Sequence, residues 1–447
     1  MSTVTQAAQG QRSTVRRDIR ALTGLRLVAA AWVVLFHFRS LLTPYLDEMP
    51  FVRPVIDGGW IGVELFFVLS GFVIALSYLD EVGRRPTPAV VGRFLWNRIA
   101  RVWPAWAVVT VAMGAWIWVV RASGRDANVL APHPDADLLT LARQLTMTQM
   151  WGRDDLLAAS YVLPGWSISA EWLAYLAFPV LAVLLRPLRR LHPVVNLALA
   201  HAALLPLVLV AYRTGPLDWT QDWVLRIACG FTAGILLALG VRDLRRTDRV
   251  ESWAHRVAWA APVAVVLLSV WARWRGAGNP AVDFHGVAIV AFPALISALA
   301  LTDRGPARWL SRPGVVHGGK VSYCLYLVHF VVLDVLLTVV WQSPQTRFVV
   351  SPKLLLLAPV AMAVSFGLSV GLHRLVEQPC QRLLVRLPER ATWSRAGSVP
   401  PRRVSRRVHG LALGHGARAG RPRMSDVATA RLHLGPVVPP RDTTAAR

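Results

Sequence analysis

Cysteine is scarce. The 447 residues hold three, Cys229, Cys324 and Cys380, and they show neither a zinc-site spacing nor a disulfide framework. Charge is thin as well: 17% of residues are charged, against about 25% in an ordinary soluble domain. Lysine is nearly missing, with only Lys320 and Lys353, so the basic side chains are otherwise arginine. Acids number 25 against 49 basic residues, a net charge of +24. What is abundant is apolar: 54% hydrophobic residues and a mean hydropathy of +0.44. Such a chain is not predominantly disordered, and its composition argues against a purely soluble protein. Nor does the positive charge point to nucleic acid. From Cys380 onward 14 arginines face 3 acids, and most of the remainder sits between apolar segments, where membrane proteins keep their cytoplasmic charge.

A bilayer core takes about 20 mainly apolar residues per helix. Ten stretches qualify: 21–42, 58–79, 102–120, 162–185, 193–212, 222–240, 254–271, 284–302, 321–341 and 353–375. The sixth contains Arg226 and the seventh is short. The polar N-terminus runs into the first stretch with no small-residue cleavage site, so that stretch reads as a helix and not as a removed signal. Arginines crowd the N-terminal segment and every even connection, whereas the odd ones carry fewer basic residues and acids such as Asp47, Glu48, Asp126, Asp135 and Asp154. The positive-inside rule then places both termini in the cytoplasm, which requires an even number of spans. The expected fold is an all-α polytopic membrane protein of about ten transmembrane helices in the cytoplasmic (inner) membrane. Residues 1–20 form a basic cytoplasmic segment, 21–380 the membrane domain, and 381–447 a cytoplasmic tail rich in arginine and proline, expected to be disordered. The long connection 121–161 repeats Leu138, Leu139, Leu141, Leu145 and Met150 at near-helical spacing, the pattern of an interfacial helix.

An ionised side chain at mid-membrane costs about 2.5–3.5 kcal/mol on insertion scales, so each one marks a candidate site. Arg26 and His37 lie eleven residues apart, about 20° past three full turns and roughly 16 Å along one helix face. His37 reads either as a hydrogen-bonded interfacial histidine or as a proton acceptor. Glu64 sits at a similar depth and could orient the imidazole. Arg98 and Arg101 share a face, as topology anchors or as a fork for phosphates. Glu171 would lie near the midplane below Trp166, Ser167 and Ser169, with Arg26 as one candidate partner. Ser167 and Ser169 could equally bond back to their own helix. Tyr326 and His329 share a face of the ninth span, and Pro379 is expected to end the tenth just after Glu377.

Together and in this order, several segments resemble the acyltransferase 3 family. They are Gly24-Leu-Arg26 with His37, Gly62-Val-Glu-Leu-Phe-Phe-Val-Leu-Ser-Gly-Phe72, Arg98-x-x-Arg101, Trp166-Ser-Ile-Ser-x-Glu171, Ser322-Tyr-x-x-Tyr-Leu-Val-His329 and Glu377-x-Pro379. The resemblance spans about residues 20–382. It implies an integral enzyme that uses acyl-CoA, commonly acetyl-CoA, to acylate a hydroxyl of a cell-envelope glycan, a lipid-linked glycan or a glycosylated natural product such as a macrolide. It implies a catalytic histidine at His37 and a link to donor binding or activity at Arg26, Arg98 and Arg101. Thr23 stands where the family often has Asp, and Glu64 where Asp is common. The site expected from these readings has His37, Glu64 and Glu171 as catalytic residues. Arg26, Arg98, Arg101, Trp166, Ser167, Ser169, Tyr326 and His329 are expected to bind substrate. No metal or resident cofactor is expected; the partners are acyl-CoA, a sugar or glycoside acceptor and membrane lipid. The alternative is a proton-coupled transporter or flippase, which intramembrane His, Glu and Arg would also suit, although no inverted repeat is visible.

Overall fold

A computed structural model describes residues 19–124, 132–154, 156, 158–215, 221–277, 282–340 and 352–396, with side chains in the last stretch for 355–387. The chain divides into two units, Met1–Ser394 and Arg395–Arg447; the membrane helices and the site belong to the first. Its α-helices longer than five residues are α1 (Arg20–Asp47), α2 (Gly62–Arg84), α3 (Pro88–Ala122), α4 (Leu138–Leu145), α5 (Trp166–Leu185), α6 (Pro193–Ala202), α7 (Leu205–Arg213), α8 (Asp222–Asp243), α9 (Asp248–Arg275), α10 (Phe292–Leu301), α11 (Pro313–Val340), α12 (Pro352–Leu372) and α13 (Gln378–Ala396). No strand occurs among the described residues. Nine helical stretches there are long and apolar enough to cross a membrane. The fold is an all-α polytopic membrane protein, with apolar side chains such as Val111, Trp118, Leu184 and Leu267 turned outward. The backbone satisfies its own hydrogen bonds within each helix, which a hydrocarbon solvent demands.

The expected eighth span differs in build. It begins with a 3-10 turn, His285–Ala291, and continues as α10. The tighter turn rises about 2.0 Å per residue, so this short stretch reaches roughly 29 Å, close to the hydrocarbon thickness. Its two ends lie at opposite faces of the bundle. His285 packs on Gly58, just before α2, and Ala300 accepts a 2.8 Å hydrogen bond from Arg246, beyond the other end of α8. The fifth span is likewise divided, into α6 and α7.

The tenth span is not ended by Pro379. A π turn, His373–Glu377, joins α12 to α13, and the helix runs on to Ala396. Proline lacks the N–H and its ring collides with the carbonyl four residues back. The wider turn shifts the bonding register just before it, so the helix passes the proline without a break. Residues 397–447, most of the expected disordered tail, lie outside the described residues, as do residues 1–18.

The even connections meet at one face. Asp80, at the end of α2, pairs with Arg189 at 3.1 Å and Arg242 at 2.9 Å. Arg304 pairs with Glu251 at 3.0 Å, and Arg20 donates to the Ser311 carbonyl at 3.1 Å. The amphipathic helix expected near Leu138 forms as α4, capped by Asp137, whose side chain accepts from the Thr140 amide at 2.6 Å. Leu138 and Leu139 stay exposed, while Trp103 and Trp106 of α3 donate to the carbonyls of Leu145 and Gln144.

Helices α2 and α8 touch backbone to backbone. A Cβ on Gly234 would lie 2.2 Å from the Val68 carbonyl oxygen, and one on Gly71 2.1 Å from that of Phe231. Small residues at such crossings permit close van der Waals packing, the main attraction between helices in lipid. Gly234→Val should therefore lower the thermal midpoint of the detergent-solubilised protein, whereas Gly92→Ala, with nothing within 4 Å, should leave it unchanged; fluorescence-detected size-exclusion chromatography after a heat series reads both.

Candidate active site

Three arginines expected to act together do meet. Arg26 of α1 and Arg98 and Arg101 of α3 line a cavity of about 330 Å³ with Ser70, Glu171, Tyr175 and Tyr323. Arg101 is ion-paired with the fully buried Glu377. The other oxygen of that carboxylate lies 2.6 Å from His373 Nδ1 and 3.0 Å from Cys324 Sγ. The π turn that absorbs Pro379 thus also presents the acid that holds Arg101. Arg98 reaches the Tyr78 hydroxyl at 3.3 Å and lies over its ring. The Nε atoms of Arg26 and Arg98 are buried without a hydrogen-bond partner among the described residues. Planar guanidinium groups with donors to spare are suited to phosphate oxygens.

Glu171 does not bond to Arg26. It accepts from the Ser70 hydroxyl at 2.6 Å and from the Tyr175 hydroxyl one turn along. Arg26 instead lines the same cavity. A second, narrower cavity of about 50 Å³ shares Arg26, Ser70, Glu171 and Tyr323 with the first and leads to Phe66, Ser167 and Tyr326. Ser167 and Tyr326 join through their hydroxyls at 2.7 Å, and both approach the Pro164 carbonyl. Beyond Tyr326 the next ring is His329, at a centroid distance of 6.0 Å.

His329 faces His37, with 3.2 Å between His329 Nε2 and His37 Nδ1. His37 Nδ1 also lies 2.9 Å from the Val33 carbonyl, and His329 Nδ1 lies 3.0 Å from that of Leu325. A carbonyl only accepts, so both Nδ1 atoms carry protons. His329 Nε2 then presents a lone pair to His37, and Nε2 of His37 is left as its basic atom. In helices these i→i−4 contacts follow from histidine's reach back to the preceding turn. The sequence spacing within each helix was visible; the pairing of two helices was not.

Glu64 does not orient His37. It accepts from Arg226 at 2.6 Å and 2.5 Å, and Arg226 also pairs with Asp222 at 3.3 Å. Glu64 opens α2 on the side packed against α8, where Arg226 is the nearest cation and stabilises it in place. Trp166 belongs to the same knot, lying under the guanidinium at 4.4 Å with Trp60 at 5.3 Å. Ser169 is fully buried and accepts from the Met150 amide at 3.4 Å. Glu64, Trp166 and Ser169 thus sit in contacts between elements of the bundle. The charge within the sixth span, with an acid four residues earlier, was the one signal of this knot in the sequence.

The family model for an acyltransferase domain matches residues 19–374. The chain belongs to the acyltransferase 3 family. It is similar to acyltransferase MdmB of Streptomyces mycarofaciens, 29% identical over 386 residues, covering 82% of this chain and 92% of that protein. It is also similar to nodulation protein 10 of Rhizobium leguminosarum bv. viciae, 26% identical over 390 residues, covering 82% of this chain and 94% of the relative. No solved structure matches.

In this acyltransferase the Arg226 knot carries a clear energetic signature. Removing one partner from a buried ion pair strands the others and costs about 3–5 kcal/mol, whereas replacing the whole set is often neutral. Arg226→Leu should destabilise by that order, and the triple variant with Glu64→Gln and Asp222→Asn should recover most of the loss, as read by denaturant unfolding in detergent.

Proposed function

We propose that this acyltransferase moves an acyl group, acetyl by preference, from acyl-CoA to a hydroxyl of a carbohydrate. Acceptors of this kind are a cell-envelope glycan, a lipid-linked sugar or a glycosylated natural product such as a macrolide. One observation carries the reading. An arginine-lined cavity with unfilled N–H donors continues through a narrow neck toward a paired imidazole, about 16 Å further along α1. A donor with phosphates at one end and a thioester on a long flexible arm suits that shape.

The phosphates bind Arg26, Arg98 and Arg101, and the thioester extends past Ser70 and Tyr323 toward Tyr326. His37 Nε2 removes the proton of the acceptor hydroxyl as its oxygen attacks the thioester carbon. The carbon–sulfur bond breaks, and the departing CoA thiolate takes the proton from His37. His329 accepts from His37 Nδ1–H and so keeps Nε2 free for this exchange. The positive-inside pattern supports an arginine cavity on the cytoplasmic side, where acyl-CoA is available, with both termini in the cytoplasm.

Purified protein in nanodiscs with labelled acetyl-CoA tests the reading. Wild type should bind the donor and slowly lose thioester. His37→Ala should bind it but turn over about 10²–10⁴-fold more slowly, the usual worth of a positioned base. Arg98→Ala/Arg101→Ala should do neither. Normal turnover in the histidine variant, or no affinity of wild type for any acyl-CoA, would sink the proposal. His329→Phe should lower turnover with donor affinity kept, because His37 Nδ1–H keeps the Val33 carbonyl but loses the second acceptor that holds the ring and supports its positive charge during proton transfer.

A further inference from the structure

A third cavity lies toward the other end of α1 from the arginine triad, beside Phe36, the residue before His37. It encloses about 550 Å³ and is lined by Phe36, Arg39, Asp57, Arg273, Asp283 and His285, among others. Resting on the acyl-transfer reading above, we infer that this cavity holds the acceptor, and holds it as a neutral hydroxyl-bearing ring instead of an anion.

Its position comes from α1. Arg39 follows Arg26 by thirteen residues, roughly 20 Å along the axis, so the cavity lies at the other end of the span. Phe36 forms part of its wall and also meets the His37 ring edge-on at 5.2 Å. The volume falls in the range of ordinary small-molecule sites.

The charge balance excludes a phosphate-type ligand. Arg273 is paired with Asp57 at 3.0 Å, and Arg39 is turned onto its own helix, 2.7 Å from the Phe36 carbonyl and 3.8 Å over the Phe36 ring. Asp283 adds a carboxylate. The donor cavity, by contrast, has arginine N–H groups with no partner. Phe36 and Phe284 supply apolar surface of the kind that packs against the C–H face of a sugar.

The polar reader is His285, which is 6% exposed. Its Nδ1 lies 2.6 Å from Asp283 Oδ1, which also accepts from the His285 amide at 2.8 Å. Asp283 Oδ2 accepts from the Trp60 indole at 2.8 Å. Burial acts to raise the Asp283 carboxyl, but the hydrogen bonds and charge of His285, with the Trp60 bond, outweigh it and hold the group below its ordinary value. Asp283 is therefore ionised and fixes the proton on Nδ1. Nε2 of His285 has no partner among the described residues, and an unsatisfied buried polar atom calls for an explanation. A hydroxyl suits it in either state, because an alcohol both donates to a lone pair and accepts from an N–H. His285 would bind a hydroxyl other than the one acylated at His37.

Saturation-transfer NMR on protein in nanodiscs tests this, with methyl α-glucopyranoside and methyl α-rhamnopyranoside as neutral probes and glucose 6-phosphate as the anionic one. Empty nanodiscs give the background. Wild type should transfer saturation to the neutral glycosides and little to the phosphate. The signal should be lost in His285→Ala and in Ala277→Trp, which places a bulky ring at the exposed rim of the cavity and leaves the core packing alone. No transfer to the neutral glycosides, equal transfer in both variants, or a preference for the phosphate would each overturn the inference. Acetyl-CoA binding by wild type, measured on the same nanodiscs, separates the two readings. If the donor binds and the glycosides fail, the acceptor site falls alone. If the glycosides bind and the donor fails, the acyl-CoA reading falls and a sugar site stands.

Discussion

A charge inside hydrocarbon persists only beside a partner, and this bundle is organised around that constraint. Arg226, one turn into α8, is matched by Glu64 from α2 and Asp222 from its own helix, between two tryptophan rings. Arg101 is matched by Glu377, and Asp334 by His133 and Trp116. Apart from Asp222, the partners come from segments distant in sequence, in a solvent where apolar burial alone gives little drive to associate. The glycine contact of α2 with α8 then brings Glu64 and Arg226 within reach of one another.

Against that background, polar groups left without partners gain meaning. Buried N–H donors at Arg26 and Arg98, and the open Nε2 of His285, are among the buried polar atoms without a hydrogen-bond partner in the described residues, and these three belong to residues that line the cavities. They lie at different ends of the path that α1 makes through the bundle. The arginine end is cationic and narrow-necked. The Asp283 end is balanced in charge and walled by phenylalanine. His37 sits between, its Nδ1 occupied by Val33 and His329, so that a proton can be exchanged only at Nε2. A two-substrate reaction needs such asymmetry, because one substrate must not occupy the other's place.

Local rules account for much of what the sequence shows. Length and hydropathy locate the long helices, and the eleven-residue spacing of Arg26 and His37 puts both on one face of a single span. Thr87 and Asp137, at helix starts, accept from the amides three residues on, as N-caps do. The same rules misread Pro379, because a π turn offers a way past a proline that helix propensity does not weigh. They also gave the eighth span an ordinary helix, where a 3-10 segment covers the thickness with fewer residues. Both exceptions lie beside the cavities.

By itself the sequence determined the class of solvent, the run of spans, the arginine pattern of the connections and the kinds of side chain carried into the membrane. These depend on composition and on periodicities of a few residues. Tertiary structure alone decided the partners. Glu64 went to Arg226 and not to His37, Glu171 to Ser70 and Tyr175 and not to Arg26, and His329 came to face His37 from 292 residues away. Which of two carboxylates meets an imidazole depends on helix crossings set by close backbone packing. That geometry is a property of pairs of helices, and no single helix encodes it.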